Sequence, residues 1–177
     1  MQTHLTIESA VDFVDAIIGN GLWHTTSCER YMQILQSGKI SVNPHISDQV
    51  RHETSNGPEN YPYVRHLGGI SLFDFSVFQA DRYEQCYPVS TWRYFVPTTG
   101  DADTSIWILL DRLKIQSSLI SAECVLTKWK AESAYSHTFM PLIEAAHIGD
   151  IPAAHFLKVL RVSKVGYAYV VSHEQNV

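Results

Sequence analysis

The segment TSIWILLD, residues 104–111, constrains the fold more than any other part of the chain. Between its polar ends it is an almost unbroken apolar run. A strand whose side chains are apolar on both faces is buried on both faces. The segment therefore predicts a buried strand. The elements predicted in the rest of the chain indicate which fold class can bury it.

The other segments follow strand and helix patterns without regular alternation. Helical spacing predicts helices at residues 7–18 and 113–121, and another that starts after the N-cap Ser27 and is closed by Gly38. Strands are predicted at residues 22–25, 39–43, 67–75, 124–129, 138–152 (with a turn at 149–150) and 166–172, and a short helix leading into a strand at 151–163. Residues 44–66 have the composition of a long loop, and residues 76–100 fit no pattern. Strands outnumber helices, so the predicted fold class is α+β.

Composition narrows the class of protein further. A chain of 177 residues, 45% hydrophobic, predicts one domain over residues 1–177. Its net charge of -5 argues against a broad electrostatic grip on nucleic acid or membrane. Three cysteines without a CxxC pair suit a reducing cytosol. The first residues lack the basic start of a signal peptide, and no apolar run approaches the roughly 20 residues of a membrane span. The expected location is cytoplasmic.

Three polar anchors stand in or beside the predicted strands. The first is His24 with Thr25 and Thr26, the second is Ser71 after a glycine pair, and the third is Glu144. Taken singly, a histidine after an apolar run more often has an ordinary structural role, and a serine after a glycine pair indicates little. Glu144 has apolar neighbours on both sides, so its carboxylate is costly unless it is paired or faces a cavity. A solvent-facing position on an edge strand is the alternative.

The contexts of the three anchors resemble the motifs of a known family. LWHTTSCERYMQILQSGKI is similar to the opening motif of the ADP-ribosyltransferase superfamily, a strand ending in His-x-Thr followed by a helix. GGISLFDF resembles the second motif, and PLIEAAHIGDIPAAHFLKVLRV resembles the third, a strand bearing glutamate. The resemblance covers roughly residues 22–162 and is closest to small bacterial and phage-type, toxin-like members. It implies a split mixed or antiparallel sheet with flanking helices.

The resemblance also implies NAD as co-substrate and gives each anchor a role. Glu144 is the expected catalytic carboxylate, which faces the positive charge that develops on the ribose as nicotinamide leaves. His24 is expected to bond a ribose hydroxyl, and Thr25 or Thr26 to hold the adenosine side. Ser71 is expected beneath the nicotinamide.

Further residues are expected to complete the NAD site. Phe73, Phe75 or Tyr63 would supply a stacking face. Arg51 and Arg65, in and after the long loop, would pair the pyrophosphate, although ordinary solvated arginines are an equal reading. The chain has no glycine-rich phosphate loop and no metal-ligand motif such as HExxH, so no metal is expected.

The acceptor is less constrained than the donor. Many protein-modifying members carry an acid or glutamine two residues before the glutamate, where this chain has Leu142. This argues against an arginine side chain as acceptor and leaves a nucleic-acid base, another protein side chain or water. Of these we favour a nucleic-acid base, in single-stranded DNA or RNA. Five aromatic residues are candidates for stacking on such a strand: Tyr61, Tyr63, Trp92, Tyr94 and Phe95. A toxin or antiphage role would bring a neutralising antitoxin as partner.

Three other functions fit the same motifs. One is a catalytically inactive module that binds NAD or ADP-ribose, and another is an NAD glycohydrolase that passes the sugar to water. The third is the related RNA 2′-phosphotransferase activity, which needs several basic residues around a phosphate. The sequence has no dense basic cluster of that kind.

Overall fold

The computed structural model describes residues 4–51 and 56–174, in which ten strands and seven short α-helices are found. The strands are β1 (Leu5–Ile7), β2 (Leu22–Thr26), β3 (Lys39–Ile40), β4 (Gly69–Asp74), β5 (Thr104–Leu110), β6 (Leu119–Ile120), β7 (Glu144–Ile148), β8 (Ile151–Pro152), β9 (Phe156–Val165) and β10 (Ala168–His173). The helices are α1 (Ala10–Phe13, continued by a wider π-helical segment over Val14–Ile18), α2 (Cys28–Ser37), α3 (Tyr63–His66), α4 (Ala80–Cys86), α5 (Trp92–Phe95), α6 (Arg112–Ile115) and α7 (Ala122–Ala131).

Eight of these strands form one sheet in the order β1-β10-β9-β5-β2-β4-β7-β6, and β3 pairs with β8 in a small ribbon. Neighbouring strands in both sheets run antiparallel. The α+β class is therefore confirmed, with a mostly antiparallel sheet and flanking helices. Among the described residues, no helix is long and apolar enough to cross a membrane.

The sheet is covered on both faces. Alternate side chains of its central strands join two apolar clusters, one per face. We call them the tryptophan cluster, which includes Phe13, Trp23, Phe73 and Trp107, and the isoleucine cluster, which includes Leu22, Ile34, Leu72, Ile106 and Ile108. Strand β5 contributes to both clusters, as expected of a strand that is buried on both faces.

Helix α2 begins and ends where the sequence predicts. The Ser27 hydroxyl accepts a hydrogen bond from the backbone N–H of Arg30 at 3.2 Å, and Gly38 closes the helix in the left-handed conformation with φ 70°. The helix packs Tyr31 and Ile34 onto the isoleucine cluster. It therefore lies on that face of the sheet, directly after β2.

One predicted strand is wrong, because residues 124–129 form the middle of helix α7. Ser121 caps this helix by accepting from the N–H of Cys124. Glu123 in the first turn and Lys128 in the last turn interact favourably with the helix dipole. The apolar pattern that suggests a strand has another cause, because helix α7 buries Val125 against the sheet.

Other predicted boundaries also shift. The first helix begins at Ala10, because Ser9 caps it and β1 precedes it. The predicted strand at 39–43 is only Lys39–Ile40, the predicted helix at 113–121 shortens to α6 and a 3-10 turn before β6, and the helix predicted within 151–163 is one 3-10 turn over Ala153–His155. The unassigned stretch 76–100 contains α4 and α5. Within the predicted loop 44–66, residues 52–55 lie outside the described residues.

Candidate functional site

Strands β2 and β4 separate soon after they meet, and this separation makes the site. They pair only at Leu22 with Asp74 and at Trp23 with Phe73. Each strand continues to pair with its other neighbour, β2 with β5 as far as Thr26 and β4 with β7 from Gly69. The gap therefore opens inside one sheet, between two strands that are each anchored on the far side.

His24 is the first residue of β2 beyond the last paired position, and its ring spans the gap. Its Nδ1 lies 3.1 Å from the carbonyl oxygen of Ser71 on β4. Because a carbonyl only accepts, Nδ1 carries the proton and Nε2 is the acceptor nitrogen. Burial, and to a smaller extent the positive charge of Arg30, lower the pKa of the His24 imidazole, against the opposing effect of the Ser71 carbonyl. The ring is therefore neutral at pH 7.

Glu144 is the first residue of β7, and its side chain is 5% exposed. The Ser71 hydroxyl donates to Oε1 at 2.5 Å, and the backbone N–H of Met140 donates to Oε2 at 3.0 Å. Both carboxylate oxygens thus accept a hydrogen bond that fixes their orientation. These two hydrogen bonds offset part of the free-energy cost of burying the charged carboxylate.

His24, Ser71 and Glu144 line one cleft with a volume of about 1030 Å³. A cavity at the upper end of the range of ligand sites, about 300–1,000 Å³, has room for a dinucleotide. Thr25 and Thr26 lie on its β2 side, and the Thr25 hydroxyl donates to the Ile106 carbonyl at 3.3 Å. The three anchors of the sequence therefore meet at one site.

Cationic side chains gather at one end of this cleft. Arg30, Arg51 and Arg65 all line it. Arg65 donates to Asp48 at 2.6 Å and stacks over the Tyr61 ring at 3.7 Å. Burial, and next the neighbouring Arg65, lower the pKa of the Arg51 guanidinium. Among the described residues, these three guanidinium groups lie near Asp48 and give a local excess of positive charge, which suits an anionic ligand.

Two of the expected stacking residues do not line the cleft. Tyr63 is fully buried, and its hydroxyl donates to Glu132 at 2.7 Å, so the expectation that it stacks on the ligand is corrected. Burial, and next this bond, raise the pKa of the Tyr63 hydroxyl. Phe75 lies in the tryptophan cluster, while Phe73 reaches the cleft from the same cluster.

Sequence reasoning missed three residues of this region, and it named Tyr94 only as a candidate for stacking on a nucleic acid. The N–H of Met140 holds Glu144, Arg30 joins the cationic end, and Tyr94 lines the cleft from the unassigned stretch. Asp150 accepts from the Lys39 ammonium at 2.6 Å and from the N–H of Val42 at 2.8 Å. Only Arg30 had a local signal, because it follows the N-cap of a helix that begins at the first anchor.

No protein-family model, curated protein or solved structure matches this chain. Across residues 4–51 and 56–174, no group of three or more His, Cys, Asp or Glu side chains is arranged to hold a metal ion. The interpretation of the site rests on its residues and their geometry.

Proposed function

We propose that this protein is an ADP-ribosyltransferase with the split-sheet fold of that superfamily, transferring ADP-ribose from NAD to a macromolecular acceptor. The observation that carries the proposal is the convergence of His24, Ser71 and Glu144 on one cleft. His24 bonds to Ser71, 47 residues away in sequence, and Ser71 bonds to Glu144, 73 residues away. The resemblance predicts that these three side chains lie at one cleft, whereas a histidine with an ordinary structural role would not need to lie near Ser71 and Glu144.

Glu144 would stabilise the reacting sugar. When the bond between nicotinamide and ribose breaks, positive charge develops at the anomeric carbon and its ring oxygen. A fixed and almost fully buried carboxylate would lower the energy of that state more than the energy of bound NAD. The bonds from Ser71 and from the N–H of Met140 hold the carboxylate in place before the substrate arrives.

His24 would position the sugar without carrying charge. Since its Nδ1 proton is committed to the Ser71 carbonyl, Nε2 is the atom that accepts from a ribose hydroxyl. A neutral ring is needed here, because an imidazolium would repel the developing cation. The lowered pKa of His24 is therefore consistent with this role.

The cationic end would bind the pyrophosphate of NAD. Arg51 and Arg65 were the expected partners, and Arg30 lines the same region of the cleft. Guanidinium groups bind phosphate oxygens in directed pairs, so this end would set the orientation of the dinucleotide. The ribose bound to nicotinamide would then lie toward Glu144.

Leu142 supports a nucleic-acid base over an arginine side chain as acceptor. It is partly buried against the tryptophan cluster, and its φ of 57° turns the chain into β7. The position two residues before Glu144 therefore carries an apolar side chain with no group that could polarise a guanidinium acceptor. In a toxin or antiphage setting, a neutralising protein would be the expected partner.

The cationic end favours RNA 2′-phosphotransferase activity as a second candidate. The sequence suggested no dense basic cluster, but the fold brings Arg30, Arg51 and Arg65 to one cleft. Removal of a 2′-phosphate from a synthetic RNA in the presence of NAD would identify this activity. Transfer of ADP-ribose to an RNA or DNA that lacks such a phosphate would identify the first.

The test is release of nicotinamide from NAD labelled in its adenosine half, with nucleic acid and cell extract present. We expect release by the wild type and a loss of about 100-fold or more in Glu144→Gln, the size typical of removing one electrostatic group from an active site. Glu123→Gln, an exposed glutamate on α7, is the matched control. Equal release by wild type and Glu144→Gln would overturn the proposal, and release with label only in free ADP-ribose would indicate a glycohydrolase. Binding of NAD without release would indicate an inactive module.

A further inference from the structure

The cleft reaches both faces of the sheet. Residues directly opposite each other in adjacent strands share a face, so Trp23, Phe73 and Glu144 lie on the face of the tryptophan cluster. Helix α2 packs on the opposite face, and it carries Arg30. The gap between β2 and β4 joins the two sides. The carboxylate and the cationic end therefore belong to different sides of one continuous cleft.

The side of the cleft that Glu144 faces has a distinct chemistry. Among the described residues, segment 91–105 contributes hydroxyl and aromatic side chains to the lining, including Thr91, Tyr94, Phe95 and Thr99, and none of its charged side chains lines the cleft. The cationic members of the lining come instead from α2, residues 39–51 and Arg65. A ligand that reaches Glu144 from this side meets neutral groups.

Tyr94 is the most exposed aromatic ring of that lining, with 48% of its surface accessible. Its ring packs on Gly100, where an added Cβ would lie 2.8 Å from a ring carbon and would displace the ring from this position. The ring also meets Phe95 edge-on at 5.1 Å, and Phe95 meets Phe73 at 5.9 Å. A line of rings thus runs from the surface to the strand position that pairs with Glu144.

The other three aromatic candidates are buried or stacked against a neighbouring group. Trp92 is buried in the tryptophan cluster, and Tyr63 is fully buried. Tyr61 lies under the Arg65 guanidinium. Of the five rings that the sequence offered for stacking, Tyr94 and Phe95 are the ones that line the cleft on the side of Glu144.

We infer that Tyr94 and Phe95 form the acceptor site, and that the acceptor is a nucleobase stacked on Tyr94. This inference rests on the proposed function. A planar, uncharged ring system suits an aromatic surface bordered by hydroxyl groups, which can bond the edge of a base. A cationic or anionic side chain would find no opposite charge in segment 91–105 of the lining.

The transfer balances as one substitution at the ribose. The bond from the anomeric carbon to the nicotinamide nitrogen breaks, and its electron pair leaves with neutral nicotinamide. A nitrogen of the base forms the new bond to that carbon and gives up one proton, which passes to Glu144 and then to water. NAD and the base thus yield ADP-ribosylated base, nicotinamide and one proton.

The test uses NAD labelled in its adenosine half, with free nucleosides in one arm and single-stranded oligonucleotides in the other. We measure the ratio of ADP-ribose joined to base to ADP-ribose released into water. Tyr94→Ala should lower this ratio about tenfold or more, as loss of one stacked base contact does, and Tyr94→Phe should restore it. Tyr167→Ala is the matched control, because Tyr167 is fully exposed on another part of the chain and does not line the cleft. Tyr94→Leu, which keeps apolar volume without a ring, replaces Tyr94→Ala if the alanine variant is not folded.

Each result has a definite reading. An unchanged ratio in folded Tyr94→Ala or Tyr94→Leu overturns the acceptor site. Label that is found on protein, or only in free ADP-ribose, overturns it as well. If nicotinamide is still released in those cases, the proposal that the protein cleaves NAD stands. No nicotinamide release by the wild type overturns the proposed function and the acceptor site together. Joined product in only one arm identifies whether the base is taken as a nucleoside or within a strand.

Discussion

The two walls of the cleft are built differently. What we call the strand wall carries His24, Ser71 and Glu144 on β2, β4 and β7, each held by a neighbouring strand. His24 is joined to Ser71 across the gap, and Ser71 is joined to Glu144 between two paired strands. What we call the loop wall consists of residues 41–51 with Pro62–Arg65, and side-chain contacts fix it. The comparison teaches that the groups proposed to act on a bond are held by strand pairing, while the chain that carries Arg51 and leads to Arg65 is held mainly by side-chain contacts.

The contacts of the loop wall are individually weak. Asp150 holds its beginning through Lys39 and the N–H of Val42, and Asp48 holds Arg65. The Lys39 and Asp150 side chains are 48% and 33% exposed, so solvent screens their attraction. The hydrogen bond from Lys39, and next that from Val42, lower the pKa of the Asp150 carboxyl. We therefore expect loop-wall variants to change substrate affinity and strand-wall variants to change the rate of reaction.

The largest effect is expected at the strand wall. His24→Ala removes the ring that spans the gap, and the sugar loses its positioning group. We predict that kcat for nicotinamide release falls about 100-fold, the cost of a misplaced reacting group, with a smaller change in KM. His173→Ala, an exposed histidine on β10, should behave as wild type. A change confined to KM would break the comparison.

A smaller effect of the opposite kind is expected at the loop wall. Asp150→Ala removes the carboxylate that accepts from Lys39 and from the N–H of Val42, at the beginning of the loop wall. We predict that KM for NAD rises about fivefold, the equivalent of about 1 kcal/mol, while kcat stays within about twofold. Asp15→Ala, an exposed aspartate after α1, is the control. A loss of kcat as large as that of His24→Ala would show that the two walls are not separable.

The smallest effect concerns stability and pH. Because the pKa of His24 is lower in the folded protein than its ordinary value of 6.5, the unfolded chain binds the proton more readily. The free energy of unfolding should therefore fall as pH drops below about 6.5, until the folded histidine also titrates. His24→Asn should lack this part of the slope in denaturant titrations, while the carboxylates contribute equally to both proteins. Parallel slopes would mean that His24 is not desolvated as the site requires.

The sequence pointed to residues of both walls, but it predicted none of the contacts that hold the loop wall, for a physical reason. A glutamate among apolar residues and a histidine at the end of a strand are local signals, because burial makes them costly or notable. The arginine pairings depend on long-range contacts, such as Arg65 with Asp48 and Lys39 with Asp150, which no local period encodes.

Residues 76–100 could not be assigned from the sequence for a similar reason. Its helices α4 and α5 have seven and four residues, too few for a helical period to stand out. Tyr94 is positioned by its packing on Gly100, which lies outside its helix, and no helical period predicts that contact. The error at α7 was of another kind, since the cap at Ser121 and the charges at both helix ends were available signals.

The most direct test of the account is a paired measurement on Glu144→Gln, its Kd for NAD by calorimetry and its rate of nicotinamide release. Glutamine can keep the bonds to Ser71 and to the N–H of Met140 in part, so the fold and the cleft should persist. We predict a Kd within about threefold of wild type and a rate that is lower by about 100-fold or more, because the carboxylate acts on the transition state. A rate equal to wild type, or a rate that falls only as far as NAD binding falls, would contradict the account.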